Sequence, residues 1–174
     1  MIKGGKGGAK TQSGLMFEER VDLRTAFSNL PNYQVIGNEI VYNGRVVAKI
    51  YKKYEFYNKF LRSLNIRCNL SQKLVPDDTI FVEDSKALFV IEIKFQSGSG
   101  SVDEKLQTCD FKKKQYQKLL KDTGIKVEYV YILNSWFKAL RYRDVLEYIE
   151  SVGCKYFFKI LPLKVLGMPE PKAV

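Results

Sequence analysis

Nine residues in the middle of the chain, Ala87–Phe95 (ALFVIEIKF), set the terms for the rest. In an extended strand successive side chains point to opposite faces of a sheet. Phe89, Ile91, Ile93 and Phe95 then share one apolar face, and Leu88, Val90, Glu92 and Lys94 share the other. A run apolar on both faces belongs to a strand covered on both sides, the pattern of an α/β sheet. It also delivers a carboxylate and an amine, two residues apart, to one face of a buried strand, where unpartnered charge is costly.

The flanking sequence supplies the partners. Leu74–Val82 and Lys86–Phe95 read as a hairpin around Glu83-Asp84-Ser85. If Glu83 pairs with Lys86, paired positions sum to 169 and Asp77 lies opposite Glu92; with a three-residue loop the sum is 170 and Asp78 takes that place. Residues 103–122 form a lysine-rich amphipathic helix ending at Gly124, and Val127–Leu133 is a nearly continuous apolar strand. Strand, helix, buried strand is a βαβ unit, so part of the sheet is expected to be parallel. Elsewhere the pattern predicts a helix from Ser13 through Phe27 and strands about Val35–Ile36, Ile40–Tyr42 and Arg45–Tyr51, the last two joined by an Asn43-Gly44 turn. A short helix over 54–64, a helix over 139–151 and a last strand at Tyr156–Leu161 complete the expectation.

Composition narrows the chemistry. The 174 residues include no histidine, which removes Ser-His-Asp and Cys-His catalytic units, imidazole zinc sites and a histidine general base. Lys and Arg number 29 against 19 Asp and Glu, a net charge of +10 that favours an anionic partner, nucleic acid first among them. Positive charge concentrates in three stretches: an acid-free segment 1–12, residues 49–67, and residues 103–126. Residues 1–12 read as a flexible basic arm, with 13–174 as a single domain. Cys68, Cys109 and Cys154 contain no CxxC pair and read as reduced thiols of a cytoplasmic protein. No apolar run reaches the length of a membrane helix, and the N-terminus has no signal-like stretch. Gly4–Thr11 superficially imitates a phosphate-binding P-loop, but Ala9 occupies the second glycine position and no strand leads into it, so no nucleotide cofactor is expected.

Two carboxylates, a backbone carbonyl and open water positions make a hard, oxygen-rich site suited to Mg²⁺. The arrangement Pro76-Asp77, fourteen residues, then Glu92-Ile93-Lys94 resembles the PD-(D/E)xK nuclease superfamily. Ile91–Gln96 followed by Gly100-Ser101-Val102-Asp103-Glu104-Lys105-Leu106 is similar to its type II restriction endonucleases, as is a glycine-rich arm running into Gly14–Glu18. The resemblance covers residues 13–133 in element order and about thirty residues in motif. It implies a restriction endonuclease-like three-layer α/β/α core with a central mixed β-sheet. It also implies Mg²⁺, with Mn²⁺ as a substitute, held by Asp77, Glu92 and the carbonyl of Ile93. Lys94 would orient or help deprotonate the attacking water and stabilise developing charge. Glu18, with Glu19 as its rival, would complete the metal site, and Gln96 would contact phosphate or metal-bound water. Double-stranded DNA is the implied substrate and a homodimer the natural assembly for a symmetric site. Lys3, Lys6, Lys10, Lys52, Lys53, Lys112 and Lys113 are the candidate DNA contacts. A junction resolvase or other structure-selective nuclease is the alternative within this chemistry, and a DNA-binding module without activity is the alternative outside it.

Overall fold

The computed structural model of the chain describes residues 14–17, 22–98 and 102–171. In chain order these form strand β1 (Gly14–Met16), helix α1 (Leu23–Ser28), and strands β2 (Tyr33–Ile36), β3 (Glu39–Tyr42) and β4 (Arg45–Lys52). A π-helical turn (Phe56–Leu61), β5 (Asp78–Val82), β6 (Ala87–Lys94), helices α2 (Val102–Leu106) and α3 (Cys109–Leu120), and β7 (Lys126–Leu133) follow. Two 3₁₀ turns then lead to α4 (Arg143–Ser151), β8 (Lys155–Phe158), β9 (Ile160–Pro162) and α5 (Leu163–Leu166). Seven strands, β2 to β8, lie in chain order in one sheet that is antiparallel up to β6 and parallel from β6 to β8. The protein is thus a mixed α/β fold around a central mixed sheet. The crossover from β6 to β7 runs through α2 and α3, as the βαβ reading requires.

Each face of the sheet carries its own apolar core. On one, Ile50, Ile80, Phe89 and Ile91 pack with Leu23 and Phe27 of α1, Leu15 of β1 and Leu163 and Leu166 of α5. On the other, Leu88, Val90, Tyr129 and Tyr131 pack with Phe56 and Phe60, with Tyr116, Leu119 and Leu120 of α3, and with Leu146 and Ile149 of α4. This is why β6 is buried from Ala87 to Glu92 without interruption. Local turns follow their residues. Asn43 and Gly44 both take positive φ, 49° and 78°, as the tight hairpin between β3 and β4 needs. Gly124, at φ 71°, closes the segment after α3. Among the described residues no helix is long and apolar enough to cross a membrane.

Four segments depart from the sequence pattern. Gly14–Met16 is a strand paired with β9, not a helix start; Leu15 and Phe17 are both buried at a spacing of two, and the helix begins only after the Asp22 cap, whose carboxylate accepts from Thr25 N at 2.9 Å. The expected helix 103–122 breaks at Gln107–Thr108, where the Thr108 hydroxyl donates to Lys105 O at 2.7 Å. The helix expected over 139–151 starts at Arg143, after the 3₁₀ turns. The final strand is cut at Lys159, at φ 60°, into β8 and β9, which join different sheets. The basic arm, residues 1–12, lies outside the described residues.

The β1–β9 contact is close enough to require glycine. A Cβ on Gly14 would stand 2.7 Å from Ile160 Cγ2 and 3.0 Å from Leu161 O. Gly14→Ala is expected to destabilise the protein by about 1–3 kcal/mol, the usual cost of overpacking, as read from the midpoint of urea denaturation.

Candidate active site

The hairpin register places the central carboxylate. Val82 pairs with Ala87 and Asp78 with Ile91, so paired positions sum to 169, and Lys86 N–H donates to Glu83 O at 3.1 Å to close the turn. Asp77, one residue before the ladder, therefore faces the end of β6. Its Oδ2 accepts from Ile93 N–H at 3.1 Å and from Lys94 Nζ at 3.2 Å. The segment leading into it is held by two phenols, since Tyr57 and Tyr116 both donate to Leu74 O, at 2.7 and 2.9 Å. Beyond it, Lys53 N–H donates to Asp77 O at 3.2 Å.

Glu92 is the buried member of the cluster. Its side chain is 6% exposed and meets Lys94 Nζ at 3.0 Å on Oε2 and Lys112 Nζ at 2.7 Å on Oε1. The Tyr129 hydroxyl, from β7, also donates to Oε1. Burial alone would push the Glu92 carboxyl up, but the ammonium groups of Lys94 and Lys112, with the Lys112 and Tyr129 hydrogen bonds, bring it below its ordinary value. Burial would lower Lys94, and the charges of Glu92 and Asp77 raise it above its ordinary value instead. Two carboxylates and two ammonium groups thus form a charge-balanced cluster on one face of the sheet.

The other expected residues divide clearly. Asp78 points to the opposite face of the sheet. It is 3% exposed, with no hydrogen-bond partner on Oδ1 among the described residues. Burial pushes its carboxyl up to about 7, Asp22 and Asp77 add to the shift, and Lys52 and Arg24 oppose it. Gln96 Nε2 donates to Gly98 O, and among the described residues Gln96 Oε1 is buried without a partner and no hydrogen bond joins Gln96 to Asp77, Glu92 or Lys94. Lys113 donates to Gly153 O at 2.6 Å and Lys52 pairs with Asp22 at 3.2 Å, whereas Lys53 is exposed. Glu18, Glu19, Lys3, Lys6 and Lys10 lie outside the described residues.

Lys112 and Tyr129 are the members that the sequence reading did not place at the cluster. Both leave a signal in hindsight. Cys109, Lys112, Tyr116 and Leu119 recur at spacings of three and four, so Lys112 sits on the inward stripe of α3, where an ammonium needs a counter-charge. Tyr129 lies in a strand buried on both faces, where a phenol needs an acceptor.

The oxygens of Asp77 and Glu92 are hard donors of the kind Mg²⁺ takes, and Mg²⁺ keeps several waters, so one or two protein carboxylates suffice. Asp77 is 43% exposed, which leaves water a path to it. Among the described residues no group of three or more acidic or cysteine side chains gathers as a ready cage, and Lys94 Nζ lies within 3.2 Å of both carboxylates.

Two outcomes check this electrostatic account. Glu92→Ala leaves Lys112 without this counter-charge and Lys94 with Asp77 alone, and is expected to cost about 1–3 kcal/mol, while Lys112→Met costs less because Lys94 and Tyr129 still hold Glu92; chemical denaturation orders them. Asp78→Asn removes a carboxyl whose folded pKa is raised, so its benefit is absent below pH 4, grows as pH rises toward 7 and is complete above it. Thermal unfolding at pH 8 should show the variant more stable than the native protein by about 1 kcal/mol or more, and melting at pH 4 should show no gain.

Comparison of the chain with protein-family models, with curated proteins and with solved structures returns no match. The reading of this cluster therefore rests on its geometry and on the motif.

Proposed function

We propose that the protein is a metal-dependent DNA endonuclease of the PD-(D/E)xK type, acting on double-stranded DNA in the manner of a type II restriction enzyme. The observation that carries the reading is the convergence of Asp77, Glu92 and Lys94 at the end of the β5–β6 hairpin, with both carboxylates within 3.2 Å of the Lys94 ammonium. The antiparallel β5–β6 pair, the crossover through α2 and α3 and the parallel β7 are consistent with a restriction endonuclease-like core.

In this reading Asp77 and Glu92, with the Ile93 carbonyl, would hold Mg²⁺ against the scissile phosphate. Bound there, the ion supplies Lewis-acid polarisation of the phosphoryl oxygen and a lower pKa for water. Lys94, kept as an ammonium between two carboxylates, orients the attacking water and balances the negative charge that develops on phosphorus-bound oxygen. Lys112 and Tyr129 position Glu92 and keep it ionised. Cutting both strands of a symmetric site calls for two copies related by a two-fold axis.

One observation favours a second reading, a DNA-binding module without activity: both oxygens of Glu92 are already engaged by side chains of the chain itself. Incubating supercoiled plasmid with Mg²⁺ separates the two. The nuclease reading expects discrete fragments, with Asp77→Asn, Glu92→Gln and Lys94→Gln each slowing cleavage by about 10²-fold or more while near-UV circular dichroism is unchanged. No product with Mg²⁺ or Mn²⁺, or undiminished cutting by the folded Glu92→Gln protein, rejects it.

A further inference from the structure

Beside the carboxylate cluster, beyond the end of β4, lies an open cavity of about 670 Å³ whose lining includes Arg24, Asn38, Lys52, Lys53, Tyr54 and Lys59. It is built around one carboxylate. Glu55 accepts from Arg24 at 2.9 Å, from Lys59 at 2.6 Å, from Lys52 N–H at 3.0 Å and from Asn38 Nδ2 at 3.3 Å. Burial would raise its carboxyl, but these hydrogen bonds and cations bring it to about 2, so it stays ionised across the working range of pH. Lys52 is shared with Asp22. Among the described residues four cations stand against Glu55 and Asp22 and against Asp78, whose carboxyl is raised by burial to about 7, so the pocket keeps a net positive charge.

Lys53 carries the surplus most openly. Its ammonium has no ion-pair partner among the described residues, its side chain is exposed, and its backbone is left-handed at φ 49°. A lysine in that conformation is uncommon, and such residues gather at functional sites. The same residue donates its backbone N–H to the Asp77 carbonyl at 3.2 Å, which sets its backbone beside that of the residue carrying the Asp77 carboxylate. The π-helical turn that follows, Phe56–Leu61, is another feature enriched at functional sites.

We infer that this pocket is a phosphate subsite that holds the DNA backbone next to the scissile position, with Lys53 as the contacting residue and Arg24, Lys52 and Lys59 as the fixed positive field around it. The inference rests on the nuclease reading for the identity of the anion, and it assigns to the chain a contact that positions the strand but does no chemistry. A backbone phosphate is favoured over a free anion because the pocket is open and one of its lining residues, Lys53, is joined through its backbone N–H to Asp77 O. Phosphate contacts by cationic side chains release counterions, so binding through them weakens with salt in a countable way.

The test is fluorescence anisotropy of a labelled 20-base-pair duplex with the full chain in EDTA, across a KCl series, so that no cleavage intervenes. Lys53→Asn, which suits the left-handed backbone, is expected to weaken binding by about 5–10-fold and to lower the slope of log K against log salt by about 1. Lys53→Glu should weaken it further. Lys164→Glu, the same charge change on exposed α5, should have little effect. The inference is overturned if native protein does not bind the duplex, if Lys53→Glu is no weaker than Lys164→Glu, or if inorganic phosphate at constant ionic strength displaces the duplex at sub-millimolar concentration. A protein that binds with a Lys53-dependent slope in EDTA yet cuts nothing with Mg²⁺ would reject the nuclease reading and leave Lys53 as a contact to the DNA backbone alone.

Discussion

Glu92 holds a negative charge between two packed layers, and much of the structure around it serves to keep that charge in place. An isolated carboxylate at that depth would take up a proton or unfold the strand. Here Lys94 from its own strand, Lys112 from α3 and the Tyr129 phenol from β7 each supply a positive charge or a hydrogen bond, so two elements distant in sequence join the strand's own lysine on one side chain. The crossover between β6 and β7 is thereby tied at its middle as well as its ends. The ladder fixes its ends, and the Lys112–Glu92 pair fixes the helix over the sheet.

Register sets the second constraint. Strand side chains alternate with a period of two, so a slip of one residue would exchange Asp77 and Asp78 between the faces of the sheet. The Glu83–Lys86 turn selects the sum of 169 and sends Asp77 toward Lys94, while Asp78 goes into the opposite core, where Oδ1 meets no hydrogen-bond partner among the described residues. The same two-residue sequence thus supplies one carboxylate with clear chemistry and another that is held at a cost in stability. The Tyr57 and Tyr116 bonds to Leu74 O show where the approach to Asp77 is secured.

The central hairpin, the parallel pair and the Asn43-Gly44 turn were legible because each is written locally, in alternation, in an apolar run or in a dipeptide that demands positive φ. The partnership of Asp77, Glu92 and Lys94 was legible for the same reason, since strand pairing is simple arithmetic once the turn is set. What local pattern could not reveal was tertiary. Leu15 and Phe17 fit a helix or a strand until β9 is present to pair with Gly14–Met16. Lys112 reads in the sequence as one of the lysines offered to DNA, and only the sheet beneath α3 makes it the counter-charge of Glu92. Lys159 reads as an ordinary strand lysine, but its left-handed backbone divides the last strand between two sheets.

The central claim, that Glu92 is kept ionised by Lys94 and Lys112, is open to direct measurement. Carbon-13 NMR of the Glu92 side-chain carboxyl, followed through an acid titration, should give a midpoint below the ordinary value of 4.5, and Lys112→Met should move that midpoint up. A midpoint above 4.5 in the native protein, or one indifferent to the loss of Lys112, would contradict the account.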